Sequence, residues 1–213
     1  ITLSSVLYLQ KGNQLPLQIA KLSKQLQQTP NAAGQQRLAT MYEQHLNKHP
    51  DDVKSWMQLA VMQSELENYS KSGFAFEQAY SRYTDTTDFS QQDAAIVAAN
   101  VAQNQLMAAD FQWQESLNEW VLVALQHDAN NNMALQLQSL LGLIKKQQQQ
   151  QAGIEDMYLL SDFMMRYGRF LQAQSFLQQL LLMIQQDEEA KNNVNLIARI
   201  YAQLANNELL KND

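Results

Sequence analysis

An all-α fold built from paired helices follows from three features of this chain. Six Gly and three Pro among 213 residues leave few helix breakers, while the abundant Leu, Ala, Gln and Met favour helix. The β-branched runs and Asn-Gly or Asp-Gly turns of a sheet protein are absent. Apolar residues recur at three- and four-residue steps through most of the sequence. The hydrophobic content of 46% is enough for a continuous core, and the length allows one large domain or two small ones.

Taken in order, residues 1–28 predict an N-terminal helical segment, broken near Lys11-Gly12-Asn13 and restarted near Leu15-Pro16, where Pro suits a first turn. Leu15, Ile19, Leu22 and Leu26 share one face of it. Its start, Ile1 to Leu9, is apolar but far shorter than the roughly 20 residues of a membrane span. It reads either as an ordinary first helix or as the juxtamembrane stub of an anchor. Thr29-Pro30-Asn31 and Gly34 predict a loop, and Gln35 to Lys48 a helix ending before Pro50. Residues 35–213 then read as a repeat domain.

Asp51 or Asp52 caps the next helix, Val53 to Glu67, which turns at Asn68 and returns from Ser70 to Tyr83. Thr84 to Ser90 is a polar linker. Helices follow over Gln91 to Met107, Asp110 to Gln126 and Met133 to Lys146. The run Gln147 to Gln151 either continues a helix or makes an exposed turn. Ile154 to Tyr167 and Arg169 to Gln185 form another hairpin, and Glu188 to Leu210 the last helix.

The hairpin at residues 50–83 has the spacing Trp56-x2-Leu59-Ala60-x8-Tyr69-x6-Phe76-x2-Ala79. The hairpin at residues 154–185 keeps the same order. Met157 stands for Trp56, Leu160 for Leu59, Ser161 for Ala60, Phe170 for Tyr69, Leu177 for Phe76 and Leu180 for Ala79. Trp56 and Met157 lie 101 positions apart, one short of three periods of about 34 residues. Leu117, Val121 and Ala124 fit the second helix of a further unit. Small residues at Ala60 and Ser161 let paired helices approach; large ones at Trp56 and Met157 fill the gap to a neighbour. Gly168 ends its helix free of Cβ strain. This pattern resembles the tetratricopeptide repeat, whose hairpins stack as an α-α superhelix, a helical-hairpin solenoid. Glu67, where Gly is usual, and Ser72, where Ala is usual, depart from it.

Charge and composition narrow the function. A net charge of −6 argues against nucleic acid and against an anionic membrane surface, both of which call for Lys/Arg clusters. The absence of cysteine excludes disulfides, thiolate metal sites and Cys nucleophiles, and fits cytosol or periplasm. His45 and His49 are four apart, a chelating step, but no third ligand accompanies them, and a His at a helix end is favoured by the macrodipole. No metal or other cofactor is expected. His127 reads as a solvent-exposed loop residue. No phosphate loop, nucleophile elbow or His-Glu-x-x-His sequence occurs, so the chain is not expected to be an enzyme.

The tetratricopeptide resemblance implies that first helices line a groove. Its lining would be Lys54, Met57, Val61, Ser64 and Glu65 in one unit, and Glu155, Tyr158, Asp162, Met165 and Arg166 in the other. This mixture of apolar groups and both charges suits an amphipathic helix or extended peptide better than a carboxylate clamp. Two further stretches, Leu7-Tyr8-Leu9-Gln10-Lys11-Gly12-Asn13 and Arg37-Leu38-Ala39 running into His49-Pro50-Asp51-Asp52-Val53-Lys54-Ser55-Trp56-Met57-Gln58-Leu59-Ala60, are similar to the tetratricopeptide subunit of bacterial cytochrome c maturation (the CcmI/NrfG-like proteins). That resemblance implies a periplasmic, chaperone-like protein, held at the inner membrane by an anchor not present in this chain. It would bind apocytochrome c for the haem-ligation subunits. The alternative is a tetratricopeptide adaptor in another bacterial envelope or secretion assembly, or a cytoplasmic one.

Overall fold

The computed structural model describes residues 14–83 and 90–211. The readings placed on Ile1 to Leu9, on Lys11-Gly12-Asn13 and on residues 84–89 of the linker lie outside the described residues. Among the described residues every regular element is helical: α1 (Gln14–Gln28), α2 (Ala32–Leu46), α3 (Val53–Glu65), α4 (Tyr69–Tyr83), α5 (Gln91–Ala108), α6 (Glu115–His127), α7 (Asn132–Gln148), α8 (Ile154–Arg166), α9 (Phe170–Gln186), a 3₁₀ turn (Ala190–Asn192) and α10 (Val194–Lys211). None of these helices is long and apolar enough to cross a membrane.

The chain divides into two compact units, residues 1–137 and 138–213. In the first, consecutive helices pack on one another from α1 through to α6. Leu38, Leu46, Leu59, Ala60, Phe76, Ala79, Val97 and Val101 form its apolar centre. In the second, α8 packs on α9 and α9 on α10, around Met157, Leu177, Leu180, Ile184 and Ile200. The repeat positions read from sequence therefore fall largely in the two cores. Leu59, Ala60, Phe76 and Ala79 are buried in one, and Met157, Leu160, Ser161, Leu177 and Leu180 in the other. Leu117, Val121 and Ala124 of α6 are fully buried as well. Trp56, Tyr69 and Phe170 are only half-buried.

Helix boundaries depart from the sequence reading where capping chemistry decides. α2 starts at Ala32 rather than Gln35, because the Asn31 side chain accepts the Gly34 N–H at 2.7 Å, the usual N-cap bond. Gly34 thus lies in the first turn, where a Cβ would stand 2.6 Å from Leu26 Cδ2; α1 and α2 meet closely there. Asp52, not Asp51, caps α3. Ser90 and Asp93 form a reciprocal capping box at the start of α5. The helix expected from Asp110 begins only at Glu115, since Asp110 and Phe111 adopt positive φ (47° and 60°). The last helix is interrupted at its start: Asp187 accepts the Glu189 and Ala190 N–H groups, and Asn193 caps Leu196.

Four helices end in the same double bond pattern. Asn68 N–H reaches Gln63 O and Glu67 N–H reaches Ser64 O after α3. Phe111 and Asp110 do this after α5, Gln151 and Gln150 after α7, and Arg169 and Gly168 after α8. This 6→1 plus 5→2 pair is the Schellman end, which needs a left-handed residue. Glu67 (φ 59°) and Gly168 (φ 69°) hold that place in the two matching hairpins. Within the glutamine run, α7 continues to Gln148 and Gln150 makes the turn. A side chain in the left-handed region costs about 1–2 kcal/mol, partly offset in a Gly variant by its freer unfolded chain. Glu67→Gly is therefore expected to raise the unfolding free energy by about 0.5–1 kcal/mol, and Gly168→Ala to lower it by about 1 kcal/mol. Nothing crowds a Cβ at Gly168, so its cost is conformational. Urea denaturation of both variants measures the pair; two shifts of the same sign would contradict it.

Candidate functional site

The predicted groove residues sit on the two first helices and stay out of the core. On α3, Lys54 and Glu65 are exposed, Val61 is 45% exposed, and Met57 and Ser64 are half-buried. Met57 rests against the apolar centre, and the Glu65 carboxylate accepts a hydrogen bond from Gln35 Nε2 of α2 at 2.8 Å. On α8, Glu155 and Arg166 are exposed, while Tyr158, Asp162 and Met165 are half-buried. Arg166 pairs with Asp162 at 2.7 Å. The Arg199 guanidinium of α10 lies 4.6 Å from the Tyr158 ring centre, so α10 covers part of this face. The α3 set and the α8 set belong to different units, and each forms a surface of its own.

The opposite side of α3 carries a second feature. At roughly 100° per residue, Trp56, Leu59 and Gln63 lie on the side of α3 opposite to Lys54, Met57 and Val61. There α2, α3 and α4 enclose a cavity of about 590 Å³, within the usual range for ligand pockets. Leu46, Trp56, Leu59, Phe74 and Ala75 give it apolar walls, and Glu43, Gln63 and Lys71 give it polar groups. Sequence spacing predicts that Trp56 fills the gap to a neighbouring unit. Instead its indole N–H is held by Pro50 O at 2.8 Å, and its ring meets Phe74 edge-on at 6.1 Å. The large ring is tied to the α2–α3 connection, which leaves the cleft open. Phe74, 55% exposed, was the available sequence signal: an aromatic residue off the core stripe of α4.

Beside this cleft the α2–α3 connection is fixed by hydrogen bonds to Asp52. His45 Nε2 lies 2.9 Å from Asp52 Oδ2, and the His45 and His49 rings stand 4.7 Å apart. Asp52 also accepts from the Ser55 N–H at 3.1 Å and the Ser55 hydroxyl at 2.8 Å. Burial alone would raise the Asp52 carboxyl, but the bonds from Ser55 and His45 outweigh it and hold its pKa below the ordinary value. A carboxylate held lower when folded adds stability above its unfolded pKa of about 4 and loses it as the pH falls through the folded value. Asp52→Ala is expected to cost about 1 kcal/mol at pH 7 through the lost cap. The gap between wild type and variant should close as the pH falls below about 4 and through the lowered folded value. Thermal unfolding across that range measures it, and a gap that widened in acid would contradict it.

His127, read from sequence as a solvent-exposed loop residue, is instead the half-buried last residue of α6. Its Nε2 lies 2.8 Å from the Tyr80 hydroxyl, and its Nδ1 meets the Gln91 side chain. Trp120 packs edge-on against Tyr80 at 5.2 Å. Burial, then the neighbouring Tyr83, raises the Tyr80 pKa. Nearby, burial raises the Glu77 carboxyl despite hydrogen bonds from Gln105 and Trp120. These contacts join α4, α5 and α6, and they hold the hairpins together.

Among the described residues no three His, Asp or Glu side chains gather as a metal site. No protein-family model and no curated protein matches the chain.

Proposed function

We propose that this chain is a non-catalytic protein- or peptide-binding scaffold whose hairpins are tetratricopeptide-like units of an α-α superhelix. One observation carries this reading. The hairpins α3–α4 and α8–α9 share core positions and the same left-handed helix end at Glu67 and Gly168, and both leave corresponding first-helix residues accessible. Accessible, mixed-polarity residues at fixed steps on a rigid helix suit a polypeptide ligand. The specific partner proposed is apocytochrome c, held for the haem-ligation subunits in the periplasm; the chain's net charge of −6 complements a basic cytochrome. The second reading is an adaptor in another bacterial envelope or secretion assembly. It is favoured by the presence of both charge signs on each first-helix face.

The test is fluorescence anisotropy with a labelled C-terminal peptide of an apocytochrome c. Binding is expected at a Kd of about 1 µM or below. Met165→Asp, which places a charge on a half-buried apolar spot, should weaken it about tenfold or more. Absence of binding by any apocytochrome peptide removes the cytochrome reading and leaves the adaptor.

A further inference from the structure

We propose that the cavity between α2, α3 and α4 is a docking pocket for a bulky apolar side chain flanked by a basic residue on a partner polypeptide. This rests on the scaffold reading but moves the anchor to the side of α3 opposite Lys54, Met57 and Val61. Three observations define the occupant. The cavity, about 590 Å³ and walled by Leu46, Trp56, Leu59, Phe74 and Ala75, has room for an aromatic or long aliphatic side chain. Trp56 and Phe74 stand edge-to-face at 6.1 Å, and Phe74, which lines the cavity, is still 55% exposed, so an incoming apolar group that covers it gains burial.

Charge then orients the neighbouring residue. The half-buried Glu43 carboxylate lines the pocket and, among the described residues, accepts only from the Gln63 amide, at 3.3 Å. Gln63 is 1% exposed and takes its remaining bond from Asn68 at 2.9 Å. Glu43 thus offers an acceptor with no cation against it among the described residues, and Arg or Lys beside the apolar anchor satisfies it. Lys71, exposed on the α4 wall, is placed to donate to carbonyls of the bound segment.

The test uses nuclear magnetic resonance of the full ¹⁵N-labelled chain with two probes, acetyl-Phe-Arg-amide and acetyl-Phe-Glu-amide. The Arg probe should shift the Trp56 indole N–H and the Lys71 and Phe74 amides, and bind about fivefold tighter than the Glu probe. Glu43→Gln should erase that preference, and Phe74→Ala should abolish the shifts. Phe74 is mostly exposed, and an unchanged thermal midpoint verifies that its variant folds. No shift at Trp56, or equal affinity for both probes, overturns the proposal. Shifts confined to the Lys54 and Val61 face overturn it while leaving the scaffold reading intact. The scaffold reading fails separately, if no longer peptide binds at any face.

Discussion

Truncating Phe76 to Ala should lower the unfolding free energy by about 3–5 kcal/mol, the range for removing a buried aromatic ring. Phe76 is 4% exposed and sits on α4 in the apolar centre of the first unit. Its counterpart, Leu177, is fully buried in the centre of the second unit, and Leu177→Ala should cost about 2–5 kcal/mol. Each loss combines the transfer energy of the removed atoms with the cavity they leave, because helices pinned by their neighbours relax only in part. All three tryptophans, Trp56, Trp113 and Trp120, lie in the first unit. Urea denaturation followed by tryptophan fluorescence therefore reads the Phe76 effect where it arises, and far-UV circular dichroism reads Leu177. A change under about 1 kcal/mol at either position would mean that it does not carry its unit's packing.

Enlarging Ala60 tests the other half of the hairpin design. Ala60 has no exposed surface, and its carbonyl accepts the Ser72 hydroxyl at 2.7 Å inside the α3–α4 contact. Ala60→Leu forces the two helices apart or into poor rotamers, at a cost of about 1–3 kcal/mol, and it strains the buried Ser72 bond as well. Ala60→Gly should cost about 1 kcal/mol, from helix propensity alone. Chemical denaturation of both variants checks the order. If Leu is tolerated as well as Gly, the helices do not meet through a small residue. The Ser72 bond also accounts for the departure at this position: a hydroxyl in a place usually held by Ala is satisfied by a carbonyl across the pair.

Much of this was legible because it depends on spacing along one chain. The four-residue steps of Leu38, Tyr42 and Leu46 mark the buried stripe of α2, and all three are buried. Aligning Trp56 with Met157 also placed Glu67 against Gly168 without a gap, and both take the left-handed turn. The misreadings came from groups whose partners are distant in sequence or whose local caps compete. The α5–α6 boundary shifted because a Schellman end consumed Asp110 and Phe111. His127 found Tyr80 across 47 positions, a pairing that no local pattern announces.

The sequence by itself determined which stretches of chain are helical, the hairpin pairing of α3 with α4 and of α8 with α9, and which positions are small or large, since those follow from period and propensity along a single strand of chain. The tertiary structure alone decided that Trp56 turns to Pro50, that a cleft stays open above Leu59, and that Glu43 faces it with no ion pair among the described residues. A gap between three helices is what remains after every side chain around it has packed. It belongs to the arrangement as a whole, so no residue's own spacing encodes it.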